Sequence, residues 1–295
     1  METNINNNPD RLECVNHAWK ITRLGAWIQN YGDDHRGHPG IVDLLALPIE
    51  KLINTIGAKE HSTSEPPTDW DTLLDQADVK VVCQCDDSYP KQLLDLPSAP
   101  KALFYRGNLG LLSDPRGTDS MVSMIGARRA TGYGLEVAAG ISRELSNAGL
   151  TVVSGMALGI EGAAHRGALE TGSTIAVLPC GTDRPYPATH TRLYRQIIER
   201  GLVISEQPPG ADAWRWTFPA RNRIIAALSG STIAVEAAIR SGVIETAHVA
   251  KAMNRNVYAI PGPVTSASAA GTNQLIKGGT ARIATGAQDV LATSN

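Results

Sequence analysis

From Ser120 onward the chain alternates short, wholly apolar runs with longer runs of mixed polarity. Residues 121–125, 150–153, 174–178, 202–205, 232–235 and 257–260 read as strands, the last of them cut by Pro261-Gly262. Residues 134–147 carry Leu135, Ala138, Ile141 and Leu145 on one face, at helical spacing. The runs ending at Glu170, and over 191–199, 221–228 and 244–253, read as further helices. Strands that are apolar on both faces and alternate with helices predict a parallel sheet covered on both sides, joined by right-handed crossovers. Upstream the pattern differs. Residues 12–57 read as short helices: Leu24, Trp27, Ile28 and Tyr31 repeat at helical spacing, and a second apolar run over 44–56 follows Pro39-Gly40. Residues 61–68 (HSTSEPPT) look like a linker. A helix near 70–77 and strands over 79–83 and 102–106 come next. The expected organisation is a small helical N-terminal module with its linker over 1–68 and an α/β domain over 69–295.

Composition narrows this picture. The 295 residues are 42% hydrophobic and 19% charged, enough for a real buried core. No run of about 18 apolar residues is present, and residues 1–10 lack the basic start and apolar run of a secretory signal. Four cysteines without such a signal fit a reducing cytoplasm. Cys83 and Cys85 form a C-x-C pair, but no second pair or nearby histidine completes a metal set, so they read as structural thiols. The net charge of −2 conceals an asymmetry. From Ser120 on, 16 Lys and Arg face 11 Asp and Glu, a balance of +5, while the first 119 residues hold 11 and 18, a balance of −7. Only Lys251 and Lys277 among those 16 are lysine. An arginine-rich positive half suits phosphate or nucleic acid, although charge alone reads first as a solvated surface.

Sheets of this kind bind ligands beyond the carboxyl ends of their strands, and the candidate chemistry falls there. The first turn is Gly126-Ala127-Arg128-Arg129-Ala130-Thr131. Its glycine allows close backbone approach, the following helix start attracts anions, and Arg128 or Arg129 can add a charged fork. The second, Ser154-Gly155-Met156-Ala157-Leu158-Gly159-Ile160, repeats the device. There Glu161 suits the helix dipole and local hydrogen bonds, and His165 reads as a packing histidine. In the third, Pro179 to Pro187, Tyr186 either stacks on a base or packs the loop. The fourth, Phe218-Pro219-Ala220-Arg221-Asn222-Arg223, follows Trp214 and Trp216. Arginines interleaved with aromatics suit single-stranded nucleic acid, and the competing reading is a buried helix with Arg221 and Arg223 paired to Glu206 and Glu236. Glu236 itself ends a strand and could anchor a sugar hydroxyl, orient Arg221, or act as an acid or base. Pro261-Gly262 and the stretch from Gly271 to Lys277 read as glycine turns on the same side. No P-loop, dinucleotide fingerprint, G-x-S-x-G elbow or H-E-x-x-H motif is present, so no cofactor, metal or catalytic residue is expected.

Read in order, these turns resemble the DprA/Smf family of DNA-processing proteins. The resemblance rests on Gly126-Ala127-Arg128, the Ser154 to Ile160 turn with Ala164-His165, Tyr186-Pro187, Ser205-Glu206, Phe218 to Ile225, Ser241-Gly242, Pro261-Gly262 and Gly271-Thr272-Asn273. Upstream, Asp87-Ser88-Tyr89-Pro90-Lys91-Gln92-Leu93 and Arg106-Gly107-Asn108 also match. It implies an extended Rossmann-like domain with a mostly parallel sheet. It further implies a cytoplasmic homodimer that binds single-stranded DNA and loads the RecA recombinase on incoming DNA in natural transformation. By motif, Arg128 matches the family's phosphate-gripping arginine, and Gly126, Arg129, Ser154, Gly155, Gly159, Phe218, Arg221, Asn222, Arg223, Glu236 and Lys277 complete the expected DNA-binding set. The chain departs from the family at Glu161, where an aspartate is usual, and at Glu245, which adds negative charge near the cleft. Because the sequence ends soon after Leu291, the winged-helix tail of some members is not expected. Two other readings stand beside this one: a nucleoside-monophosphate phosphoribohydrolase-like enzyme using Glu236 with Arg221, and a nucleotide or DNA sensor in defence.

Overall fold

The computed structural model describes residues 4–31, 51 and 65–292. The chain forms two compact units, one of Met1–Arg106, Pro179–Arg184 and Ile204–Arg221, the other of Gly107–Leu178, Pro185–Val203 and Asn222–Asn295. Apart from Lys51, the apolar run over 44–56 lies outside the described residues, as do residues 61–64 of the expected linker.

In the first unit, α1 spans Pro9–Tyr31 as a single 23-residue helix, longer than the short helices expected over 12–57. Asn8 starts it by accepting a bond from the Arg11 N–H at 3.2 Å, and Pro9 takes the first helical position, where a missing N–H costs nothing. Gly25 does not break the helix. Its bare Cα gives room to the Trp216 indole, which a side chain there would strike. Helix α2, Trp70–Ala77, is capped by Asp69, which accepts from the Thr72 N–H at 3.0 Å. Strands β1, Lys80–Cys83, and β2, Ala102–Gly107, pair antiparallel with Val81 opposite Phe104. The core of this unit packs Val15, Ala18, Leu74 and Val81 around Trp70, whose ring meets Trp19 edge-on at 5.9 Å and Phe104 stacked at 6.1 Å. Each fully buried side chain of this size contributes about 1.5–3 kcal/mol.

The second unit carries the parallel sheet. Its strands are β3 (Met121–Ile125), β4 (Thr151–Ser154), β5 (Thr174–Val177), β7 (Ser231–Ala234), β8 (Asn256–Ala259) and β9 (Arg282–Ile283). Strand β6, Leu202–Ser205, lies beside β5. Parallel ladders join β5-β4-β3-β7-β8-β9, with Val122 aligned to Val152 on one side and to Ser231 on the other. With β1 and β2 the described residues hold nine strands, mixed and mostly parallel. The helices are α3 (Gly132–Asn147), α4 (Ile160–Thr171), α5 (Thr191–Arg200), α6 (Thr217–Leu228), α7 (Gly242–Ala252), α8 (Ala270–Lys277) and α9 (Ala287–Leu291). Ala138, Ile141 and Leu145 of α3 are buried with Ala163, Ala164 and Ala168 of α4, and these small residues let the two helices approach closely.

Two expectations need correction. Residues 271–277 are not a glycine turn but most of α8, and Gly271 is needed because a Cβ there would lie 2.6–2.7 Å from the carbonyls of Ala238 and Ala237. Helix α6 begins at Thr217 rather than Arg221, because Thr217 turns the chain by bonding the N–H and carbonyl of Trp214 at 3.1 and 2.8 Å, and Pro219 is tolerated in a first turn.

The strand order has one consequence for function. The chain runs outward from β3 through β4, β5 and β6, then returns to the other side of β3 as β7, β8 and β9. The order therefore reverses between β3 and β7. Connections leave in opposite directions there, and in sheets of this kind ligands bind in the crevice beyond the carboxyl ends of two such strands.

Candidate nucleic-acid interface

The turns after β3 and β7 flank that crevice. The first carries Gly126, Arg128 and Arg129, the second Glu236. Glu236 is 4% exposed. Its Oε2 accepts the Thr131 N–H at 2.9 Å, and its Oε1 accepts the Thr131 hydroxyl at 2.6 Å and the Ser268 hydroxyl at 3.4 Å. Thr131 in turn caps α3, its oxygen accepting the Gly134 N–H at 3.0 Å. The Glu236 carbonyl accepts the Ala127 N–H at 2.8 Å. One residue thus pins the β3–α3 loop at both ends, and Arg128 and Arg129 stand exposed between the pins. Gly134 leaves room for this carboxylate, since a Cβ there would lie 2.6 Å from it.

The β4–α4 turn braces the same loop from beneath. Gly159 has φ +77°, and a side chain on it would strike the Ala127 carbonyl and lie 2.6 Å from the Arg128 carbonyl. The Ile160 N–H donates to the Ala127 carbonyl at 3.2 Å, and buried Gly126 packs on Ile160. The rest of this turn is held internally. Buried Ser154 donates its hydroxyl to the Met124 carbonyl at 2.6 Å. Glu161 accepts the Ala157 N–H at 3.0 Å, the local bonding expected of it. Met156 holds φ 58°, and its carbonyl meets His190 Nδ1 at 3.0 Å. Gly155 is buried in the same turn. His165 is fully buried and bonded to the Thr174 hydroxyl at 2.7 Å, as a packing histidine should be.

In α6 the structure separates the expected trio. Arg221 is 5% exposed, with its guanidinium 5.9 Å from the centre of the half-buried Phe218 ring, and both belong to the first unit. Asn222 and Arg223 belong to the second. Arg223 is 2% exposed, while the half-buried Asn222 faces Gly242 at the start of α7. The Ile225 carbonyl accepts the Ser123 hydroxyl at 2.8 Å, which fixes this part of α6 on β3. Lys277 is exposed in the last turn of α8. That helix starts against β7, where the Gly271 N–H donates to the Ala237 carbonyl at 2.7 Å. Seven helical steps of about 1.5 Å place Lys277 about 10 Å along the axis from Ala270, in a last turn where a cation suits the dipole. In the first unit, burial pushes the Cys180 thiol up to about 12, with the Asp183 charge adding to the effect.

Ser268 escaped sequence reasoning, and Thr131 and Asn273 stood there only as turn residues with no role of their own. Asn273 clasps Gly262, donating to its carbonyl at 3.0 Å and accepting its N–H at 3.2 Å. A threonine directly before a helix was the available signal for Thr131. Ser268 gave none, and the pairing of Asn273 with Gly262 gave none, because it depends on how the chain folds back.

The family model described as DNA recombination-mediator protein A matches residues 80–295. A protein of Mycobacterium tuberculosis named for DNA processing, DprA, is 45% identical over 170 residues, which are 57% of this chain and 43% of that protein. The match thus spans less than half the length of that relative. The X-ray structure of DNA processing protein A from Streptococcus pneumoniae superposes with a TM-score of 0.73 at 31% identity, covering 97% of this chain and 98% of that one. A Helicobacter pylori DNA processing protein A, whose structure concerns its single-stranded DNA binding mode, gives 0.66 at 30% identity over 73% of this chain and 94% of that one.

Proposed function

The chain belongs to the family of DNA recombination-mediator protein A, and from that premise we propose that it binds single-stranded DNA and loads a RecA recombinase on it during natural transformation. The observation that carries this reading is the pinned β3–α3 loop, which presents two exposed arginines at the switch point of a parallel sheet. The Helicobacter pylori relative, studied for its single-stranded DNA binding mode, supports the choice of ligand. Arg128 and Arg129 grip successive phosphates, and the Asn222 amide contacts a neighbouring group. Because the grip is on the backbone, sequence preference is weak and affinity falls steeply with salt. The working form is a cytoplasmic homodimer.

An N-glycosidic hydrolase would need Glu236 to reach a nucleotide. Here both of its oxygens are engaged and the side chain is buried, which favours binding over chemistry. Shift assays with single- and double-stranded oligonucleotides at several salt concentrations test the ligand. The reading predicts tighter binding to the single strand, and equal binding to both would refute it. A second assay tests loading: the protein should speed RecA assembly on DNA coated with a single-strand-binding protein, and an unchanged rate would remove the loading role.

A further inference from the structure

Cys14 sits on α1, while Cys83 ends β1 and Cys85 lies in the turn after it. The fold of the first unit brings the three together, with all three sulfurs within 4.8 Å of one another. None is in a disulfide. Zinc–thiolate bonds of about 2.3 Å in tetrahedral geometry place sulfurs about 3.8 Å apart, so adjustments of well under about 1 Å per sulfur would seat an ion here. Three sulfur ligands without nitrogen or oxygen select a thiophilic metal.

The surroundings suit such an ion. Asp86 closes the turn by accepting the Cys83 N–H at 2.7 Å and donating its own N–H to the Cys83 carbonyl at 2.8 Å. The Arg11 guanidinium pairs with Asp86 at 3.4 Å and donates to the Val81 carbonyl at 3.0 Å, which ties α1 to the strand end beside the sulfurs. Three thiolates around one Zn²⁺ leave a net charge of −1, and the Arg11 cation beside the turn is shared with Asp86. Cys14 and Cys83 are buried and Cys85 is exposed, so the cluster has a closed floor and an open side. We infer that Cys14, Cys83 and Cys85 bind one zinc ion, with water as the fourth ligand on the exposed side, and that the ion staples α1 to the end of β1. Sequence spacing showed only the C-x-C pair, because Cys14 lies far upstream in the chain.

The test uses the full chain, reduced and stripped with a chelator, then titrated with zinc alone against a chromophoric chelator, and separately with cobalt as a spectroscopic probe. One ion per chain and cobalt–thiolate charge-transfer bands are expected. Cys14→Ser and Cys85→Ser should each weaken zinc binding at least about 10-fold. Cys180→Ser, a buried thiol elsewhere, should leave it unchanged. Zinc should raise the Tm of the wild-type chain and not that of Cys85→Ser, which alters an exposed residue and leaves the core intact. Absence of stoichiometric zinc binding, or wild-type binding by both Cys14→Ser and Cys85→Ser, would overturn the inference.

Discussion

The Glu236 carboxylate holds Thr131 by two bonds, and Thr131 caps α3. A hydrogen bond to a charged group contributes about 1.5–3 kcal/mol, and fixing one residue's backbone costs about 1–2 kcal/mol. Two such bonds therefore offset the ordering of about two or three of the residues between the pins, which include Arg128 and Arg129. Glu236→Gln removes an acceptor while keeping the shape. It should cost about 1–3 kcal/mol of stability and weaken DNA binding with little change in salt slope, because no phosphate contact is lost. Thermal unfolding and salt-titrated binding check both halves. Gly159→Ala forces a side chain onto the Ala127 carbonyl at φ +77°, so it should destabilise by more than about 1 kcal/mol and loosen the same loop. A chemical denaturation curve measures this. For Cys180 the folded chain holds its proton up to about pH 12, above the ordinary thiol value of 9.0. In that window the folded state binds more protons than the unfolded one, so this contribution to stability is intact below pH 9 and is lost as pH rises toward 12. Comparing Cys180→Ala with the parent across that range isolates it: the parent should lose more stability than the variant.

Among the elements, the buried strands of the parallel sheet were the most legible, because burial on both faces demands continuous apolar runs. The β3 bounds at 121–125 and the β6 bounds at 202–205 agree with the sequence reading, and those of β4, β5, β7 and β8 shift by a single residue. Helix starts were less legible. Helix α3 begins at Gly132 because Thr131 caps it, and α6 begins ahead of Pro219 because Thr217 turns the chain. Strand β9 left no trace, since both of its residues are exposed and one is Arg282. Helices α8 and α9 are short, with few apolar positions to mark a face. The site followed the same logic. Gly126, Arg128, Arg129 and Glu236 could be marked as candidates from sequence because each lies at the carboxyl end of an apolar strand run. Pairings across the fold, such as Glu236 with Thr131 or Asn273 with Gly262, depend on which strands become neighbours, and sequence order does not state that.

At the scale of the whole chain, the positive excess lies in the half that carries the switch point, a balance of +5 from Ser120 on against −7 before it. Among the described residues no helix is long and apolar enough to cross a membrane. On the proposed function, binding works through released counterions, so its signature is the slope of affinity against salt. The most direct measurement compares that slope for the wild-type chain and Arg128→Ala on single-stranded DNA, with thermal unfolding recorded for both. The account predicts weaker binding by the variant, a slope shallower by about 0.7, and stability within about 0.5 kcal/mol of the parent. Equal affinity and equal slope in a folded Arg128→Ala would contradict it.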